Sequence, residues 1–233
     1  MTGDPAGLAD AARALADHLR FHQAFGIREL PLAGEPLGGP SAALRRLEAA
    51  SAGCPRCKLS QGRTTVVFGS GNPEARLMVI GEGPGEEEDR QGKPFVGRAG
   101  QLLTKMLESV GITREEVYIT NIVKCRPPGN RNPEPEEIAS CAPYLAGQLG
   151  AIQPGVICAL GTFAAQQLLK TREPISRLRG RLHKLGGAVV VPTFHPAYLL
   201  RNPGPEFRRQ AYEDLKLIRR EYDRVRGRAS AGG

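Results

Sequence analysis

The chain has 233 residues, of which 40% are hydrophobic, and a formal net charge of +8 at pH 7. This length can bury a substantial core, so one domain with a small appendage is expected. No apolar run approaches the roughly 18 residues of a membrane span, and the N-terminus lacks the basic and apolar regions of a secretory signal. These features exclude a membrane-embedded protein and predict a cytoplasmic one.

The positive charge is concentrated in the last quarter of the chain. Residues 170–233 contain 15 Lys or Arg against 6 Asp or Glu, whereas residues 51–169 contain 12 of each kind. This distribution is typical of a protein that binds a polyanion. A solvated basic helix face would give the same count, so charge alone leaves both interpretations open.

The N-terminal part of the chain has its own pattern. Residues 8–26 place apolar side chains at helical spacing, and a segment rich in Gly and Pro follows them. We therefore expect residues 1–40 to form a helical appendage and linker. The main domain is expected over residues 41–226, and residues 227–233 are expected to be a flexible tail.

Beyond residue 54, predicted strands and helices alternate. Strands are expected at 77–80, 117–123, 156–160 and 188–193, and helices at 41–52, 97–110, 134–149, 162–169 and 206–225. Four strands separated by helices predict an α/β fold, with a parallel sheet that helices cover on both faces.

Ligands of such sheets bind at the carboxyl ends of the strands. Those ends are predicted at Gly81-Glu82-Gly83-Pro84-Gly85, Asn121, Gly161-Thr162 and His195-Pro196. A phosphate-binding loop would present free amides and often a lysine, but three glutamates and an aspartate follow the glycine turn. The sequence instead predicts a pocket for a polar, uncharged ligand such as a base.

Four of the five cysteines have the spacing of a metal site. Cys54 and Cys57 form a C-x-x-C pair, and Cys125 and Cys141 follow with fifteen residues between them. In a cytoplasmic chain this pattern favours a metal over disulfides, and both zinc and an iron–sulfur cluster accept four thiolates. A thioredoxin-like redox pair is the third interpretation. Cys158 lies within a predicted strand and is expected to be a core residue.

Two of these cysteines flank residues 126–133, a segment with too many Pro, Gly and Asn residues for regular structure. The hypothesis is that a metal holds this loop beside the pocket.

Four motifs occur in order along the chain and together resemble family 4 uracil-DNA glycosylases, the iron–sulfur branch of that superfamily. They are Gly81-Glu82-Gly83-Pro84-Gly85-Glu86-Glu87-Glu88-Asp89, Gly92-x-Pro94-Phe95-Val96-Gly97-x-x-Gly100, Ile119-Thr120-Asn121 with Lys124-Cys125-Arg126, and His195-Pro196-Ala197-Tyr198-Leu199-Leu200-Arg201. The resemblance runs from about Cys54 to Tyr222. It implies a three-layer α/β/α fold with a four-stranded parallel sheet.

The resemblance also implies an activity and a cofactor. A member of this family excises uracil from DNA by hydrolysing the N-glycosidic bond, as a monofunctional and monomeric enzyme. A 4Fe-4S cluster, taken to be structural, would be held by Cys54, Cys57, Cys125 and Cys141. With the family in view, this cluster outranks zinc.

Base recognition is expected from a few residues of these motifs. Asn121 can donate to O4 of uracil and accept from N3–H, which is the reverse of what cytosine presents. Phe95 would stack on the base, and the Glu82-Gly83-Pro84 turn would bring backbone amides close to the ring. His195 would hydrogen-bond to O2 and stabilise the leaving anion.

The remaining predicted site residues act on water, sugar and DNA. Glu82 or Glu88 would orient water or stabilise the cationic sugar, and the sequence does not separate their roles. Leu199 and Leu200 would fill the gap left by a flipped nucleotide while Arg201 holds a phosphate.

Two other interpretations compete with this one. A branch of the superfamily forms a covalent complex with DNA through a histidine on a basic insertion, but no histidine lies between Asn121 and Cys141. The second is a non-catalytic, metal-stapled DNA-binding module, tethered to a polymerase or clamp through residues 1–40. Whether the chain is an enzyme or a binding module, residues 1–40 are a candidate contact for a replication or repair protein.

Overall fold

The computed structural model describes residues 39–230, and the side chains of residues 39–227. The predicted helix at 8–26 and nearly all of the 1–40 appendage lie outside these residues. The first helix described, α1 (Gly39–Ala52), begins two residues before the predicted start of the main domain.

A six-stranded mixed sheet forms the centre of the fold, with the strand order β1-β3-β2-β4-β6-β5. The strands are β1 (Ser70–Gly71), β2 (Leu77–Gly81), β3 (Tyr118–Asn121), β4 (Val156–Leu160), β5 (His183–Leu185) and β6 (Ala188–Thr193). The four central strands are parallel, as predicted. The edge strands β1 and β5 pair antiparallel and were not predicted, because two or three residues give no readable periodicity.

Seven further α-helices follow α1 within the described residues. They are α2 (Glu86–Gln91), α3 (Arg98–Glu108), α4 (Pro135–Ile152), α5 (Gly161–Leu169), α6 (Ile175–Leu178), α7 (Pro196–Arg201) and α8 (Pro205–Ser230). The short helices α2, α6 and α7 were not predicted. Helix α8 continues to Ser230, so residues 227–230 are helical where the sequence suggested a flexible tail. No helix in residues 39–230 is both long and apolar enough to cross a membrane.

The helices cover both faces of the sheet, which confirms the three-layer α/β/α arrangement. Met78 and Ile80 of β2 pack in a core cluster with α1, α4 and α5. Leu77 and Val79, which alternate with them, pack on the opposite face in a second cluster with α3 and α8. This is why β2 is an unbroken apolar run, since successive side chains of a strand point to opposite faces.

Candidate active site

A cleft of about 890 Å³ lies at the carboxyl ends of the parallel strands. It brings together all of the residues that the sequence predicted to contact the base. These residues are Glu82, Gly83, Pro84, Phe95, Asn121 and His195, and Glu88 and Arg201 also line the cleft. Leu199 and Leu200 are not part of its lining.

Asn121 presents an unpaired acceptor in this cleft. The residue ends β3 and is 1% exposed, and its Oδ1 has no hydrogen-bond partner among the described residues. Gly81 on the neighbouring strand makes room for it, because a Cβ there would lie 2.5 Å from Asn121 Oδ1 and 2.6 Å from Phe95 Cζ. Only glycine at this position lets the amide and the ring approach the strand end together.

The backbone around Phe95 is held in an unusual conformation. Phe95 has a φ of 53°, a left-handed conformation that costs about 1–3 kcal/mol outside glycine. Glu88 holds this segment, since its Oε1 accepts hydrogen bonds from the amides of Val96 and Gly97 at 2.9 and 2.8 Å. Gly100 permits the tight packing beneath it, because a Cβ there would lie 1.9 Å from the Phe95 carbonyl oxygen. The Phe95 ring is thereby fixed in the cleft wall.

His195 is held in one tautomer. It caps the N-terminus of α7, where its Nδ1 accepts a hydrogen bond from the Ala197 amide at 3.1 Å. In a neutral imidazole the proton is then on Nε2, which is free to donate. Burial, with a smaller effect from Arg201, lowers the pKa of His195 to about 4. The ring is therefore neutral at pH 7, and it lies 5.6 Å from the Phe95 ring between centroids.

The two candidate carboxylates differ in their surroundings. The Glu88 carboxylate already accepts hydrogen bonds from the amides of Val96 and Gly97. Glu82 lies half-buried in the cleft, and no group among residues 39–227 donates a hydrogen bond to its carboxylate. Burial raises the pKa of Glu82, as expected for a carboxyl that has lost water without gaining a donor.

The two leucines predicted to contact DNA lie in different places. Leu199 is 3% exposed and packs in the core cluster with α3 and α8, whereas Leu200 is 40% exposed. The burial of Leu199 corrects the expectation that both leucines can enter DNA. Arg201 is exposed at the edge of the cleft.

The segment 126–133 lies beside the cleft, and Pro127, Asn130, Arg131 and Asn132 contribute to its lining. An ion pair at 2.6 Å between Arg131 and the buried Glu137 of α4 fastens this loop. The sequence indicated an irregular loop, and the structure shows that the first turn of the helix that follows it, α4, holds its Arg131 side chain.

None of the four cysteines predicted as ligands forms a disulfide, and Cys125 and Cys141 are buried. Among residues 39–227, no group of three or more His, Cys, Asp or Glu side chains is arranged to hold a metal ion. Two donors nevertheless reach sulfur: Arg63 lies 3.3 Å from Cys125 Sγ, and the Lys124 amide 3.2 Å from Cys141 Sγ. Burial raises the pKa of Cys141 to about 11. Cys158 is fully buried, which confirms its prediction as a core residue.

Sequence reasoning assigned no role to Lys124, which is 1% exposed. Its Nζ donates to Thr120 Oγ1 at 2.6 Å and to the Asn121 carbonyl and Gln148 Oε1 at 2.7 Å. Burial lowers the pKa of Lys124 to about 7. The bond to the Asn121 carbonyl fixes the strand end that presents the unpaired amide. No pattern in the sequence distinguishes this buried lysine from an exposed one.

Three aromatic side chains in the cleft wall were also missed. Phe194 stacks on Tyr198 with 5.2 Å between ring centroids, and both rings meet the edge of Phe207. The cluster joins the end of β6 to α7 and α8. The only available signal was that two of these residues flank His195 and Leu199 in the last motif.

Comparison with known proteins agrees with this geometry. The uracil DNA glycosylase superfamily matches residues 68–216, which span the sheet and every residue of the cleft named above. The chain therefore belongs to that superfamily.

Individual relatives narrow the assignment. The chain is 52% identical to the type-4 uracil-DNA glycosylase of Thermotoga maritima over 165 residues, which cover 70% of this chain and 86% of the relative. It is 46% identical to the type-4 uracil-DNA glycosylase of Archaeoglobus fulgidus over 173 residues, or 71% of this chain and 86% of that one. A type-5 uracil-DNA glycosylase of Pyrobaculum aerophilum is 33% identical over 151 residues. The chain is a member of the type-4 uracil-DNA glycosylase family.

Proposed function

We propose that this chain is a monofunctional uracil-DNA glycosylase, which hydrolyses the N-glycosidic bond of deoxyuridine in DNA and leaves an abasic site. The observation that carries the proposal is the unpaired Oδ1 of Asn121 in the cleft. A buried acceptor without a donor is costly, so the site is complete only when a ligand supplies one. The N3–H of uracil is such a donor.

Recognition begins when the nucleotide leaves the base stack, because the glycosidic bond is not accessible inside a duplex. In the cleft, Asn121 accepts from N3–H and donates to O4, while Phe95 stacks on the ring. Cytosine has an acceptor at N3 and an amino group at position 4, so both hydrogen bonds would be lost. The enzyme thereby distinguishes uracil from its parent base.

Bond cleavage leaves negative charge on the base and positive charge on the sugar. His195 donates from Nε2–H to uracil O2, where the negative charge develops. Because the ring is neutral at pH 7, it stabilises the anion as a hydrogen-bond donor and not as a cation. One donor aimed at a developing charge accounts for about 2.7–4 kcal/mol of barrier.

The two carboxylates have separate roles in this mechanism. Glu82 has no protein donor and lies in the cleft, so it orients the attacking water or stabilises the cationic sugar. Glu88 acts through Phe95 as a positioning residue, because its oxygen holds the amides of residues 96 and 97. Both assignments refine a prediction that left the carboxylates interchangeable.

A 4Fe-4S cluster fits the chemistry of the four free cysteines, and the two nitrogen donors near sulfur suit ligated thiolates. Cys54, Cys57, Cys125 and Cys141 would hold it. When bound, the cluster would supply structural cross-linking, joining the segment before β1, the loop after β3 and helix α4. The loop 126–133 would then be fixed at the cleft, as hypothesised.

Contacts with DNA outside the cleft are proposed for two residues of α7. Leu200 is exposed and can fill the space of the flipped nucleotide, while Arg201 holds a phosphate beside it. A cytoplasmic location, a monomeric state and a repair or replication partner for residues 1–40 stay predictions.

The test is incubation with an end-labelled oligonucleotide that contains a single uracil, followed by alkali, which cleaves abasic sites. We expect cleavage at the uracil only after alkali, none in a matched cytosine oligonucleotide, and a rate lower by at least 100-fold for His195→Ala. Cleavage without alkali would contradict a monofunctional enzyme. Intact DNA from a protein that still retards the oligonucleotide in a gel would identify a binding module and refute the proposal.

A further inference from the structure

The basic residues of α8 fall into two groups. From residue 216 onward, five basic side chains each lie within 4.0 Å of a carboxylate oxygen: Lys216, Arg219, Arg220, Arg224 and Arg226. Near its start, Arg208 and Arg209 are exposed and form no ion pair with any residue from 39 to 227. The positive charge that remains uncompensated is therefore at the end of α8 that approaches the cleft.

A second pair of uncompensated arginines lies on α6 and the turn that follows it. Arg177 and Arg181 are exposed and pair with no acidic side chain in the described part of the chain. They belong to the cleft region, because Ile175 and Ser176 of α6 line the cleft.

Arg179, between those two arginines, behaves differently. Its guanidinium binds both carboxylate oxygens of the buried Asp214 at 2.8 and 2.9 Å, and it also donates to the Gln210 carbonyl. These bonds fasten the turn to α8. The segment with Arg177 and Arg181 is thereby held against the end of α8 that carries Arg208 and Arg209.

A groove of about 610 Å³ lies between the two segments, with Arg179 and Gly180 on one side and α8 on the other. The α8 side begins at Arg209 and Gln210 and continues with Glu213, Asp214, Lys216, Leu217 and Arg220, where Asp214 pairs with Arg179 and Glu213 with Lys216. Gln210 also lines the cleft, so the groove and the cleft adjoin. An elongated ligand that enters the cleft at one nucleotide can continue along this groove.

We propose that Arg177, Arg181, Arg208 and Arg209 bind backbone phosphates of the DNA beside the extruded uracil nucleotide. The inference rests on the proposed function for the identity of the polyanion. Guanidinium groups without protein partners are suited to phosphate oxygens, and their contacts carry no sequence information. Continuity with the cleft favours DNA over an acidic protein as the occupant. Arg209 lies in the groove wall and the other three arginines lie on the segments that border it. Together they would give the enzyme affinity for DNA flanking any uracil.

The experiment compares two double variants of α8 that each remove two positive charges. Arg208→Gln with Arg209→Gln removes uncompensated arginines, whereas Arg219→Gln with Arg224→Gln removes paired ones. Binding to an undamaged fluorescent duplex is measured by anisotropy over a range of salt concentrations. The slope of the logarithm of the association constant against log salt is negative. We expect it to become shallower by about 1.8 in the first variant, or about 0.9 for each lost phosphate contact. The control variant should stay close to the wild type.

Arg177→Gln with Arg181→Gln should reproduce the loss of affinity and the change in salt slope of the first variant. Wild-type affinity and salt slope in both groove variants would overturn the inference and favour an acidic protein as the occupant. If these arginine substitutions weaken DNA binding but the wild type excises no uracil, the proposed function is refuted and the proposed phosphate contacts are supported. If the wild type excises uracil while both double variants bind DNA normally, only the proposed phosphate contacts are refuted.

Discussion

Replacement of Glu88 tests whether this carboxylate positions Phe95 or takes part in bond cleavage. In Glu88→Ala, the amides of Val96 and Gly97 lose their acceptor, and hydrogen bonds to a charged group contribute about 1.5–3 kcal/mol each. Because the site is partly exposed to water, we take the lower value and expect a loss of about 3 kcal/mol in the free energy of unfolding. For a domain of this size, that lowers Tm by roughly 6–12 °C.

Glu88→Gln provides the decisive comparison, because its amide oxygen can still accept from both residues. We expect Glu88→Gln to keep most of the wild-type kcat and Tm. Glu82→Gln should keep the wild-type Tm but lose kcat, since no described residue depends on that carboxylate for a hydrogen bond. The measurements are thermal unfolding and single-turnover uracil excision for the wild type and the three variants.

The reasoning would be refuted if Glu88→Gln lost as much kcat as Glu82→Gln while its Tm stayed at the wild-type value. Glu88 would then act on the reaction itself. An unchanged kcat in Glu82→Gln would remove Glu82 from the proposed chemistry.

Four further predictions concern other parts of the site. Asn121→Asp should lower uracil excision roughly 10- to 100-fold, because a carboxylate cannot donate to O4, and wild-type rates on uracil and cytosine oligonucleotides would exclude the residue from the pocket. Protonation of His195 would remove the Nδ1 acceptor that binds the Ala197 amide, so the ratio of wild-type to His195→Ala excision rates should stay constant from pH 8 to about 5 and change only near pH 4. A change in this ratio through pH 6.5 would show that burial does not keep the ring neutral. The same lowered pKa makes this residue's contribution to stability decrease as pH drops from 6.5 towards 4, because the unfolded chain takes up the proton first. Leu200→Ala should slow excision from duplex DNA with an unchanged Tm, whereas Leu199→Ala should cost about 2–5 kcal/mol of stability. The reverse pattern would show that Leu199 contacts DNA and Leu200 stabilises the core. Cys125→Ala should increase proteolysis within residues 126–133, and unchanged protease resistance would show that the cysteines do not hold this loop.

The main strands could be predicted closely. The predicted strand at 117–123 is longer than β3 (Tyr118–Asn121), but the boundaries of β4 and β6 agree with the sequence-based prediction, and β2 ends one residue later than expected. Each of these strands is buried on both faces, so its apolar run stops where the backbone leaves the sheet. The edge strands could not be predicted, because their pairing depends on contacts with a neighbour and not on their own residues.

The two interpretations of the basic C-terminal quarter show what a charge count omits. Ion pairs occupy the second half of α8, so that part is a solvated, internally compensated helix face. The arginines near the start of α8 lack such partners, which favours a polyanion there. The solvated-face interpretation therefore fits one end of the helix, and the proposed phosphate contacts lie at the other.

By itself, the sequence determined the α/β class, the four strand ends that form the cleft and the residue types at those ends. Buried strands appear in it as short apolar runs and helices as apolar residues at helical spacing, so both can be recognised directly. Only the tertiary structure decided what each side chain does at that rim. It separated Glu82 from Glu88 and Leu199 from Leu200, and it placed Lys124 beneath Asn121. Neighbouring residues of the same type differ in hydrogen bonding and burial because these depend on how the chain folds back on itself, and no periodic pattern in the sequence records those contacts.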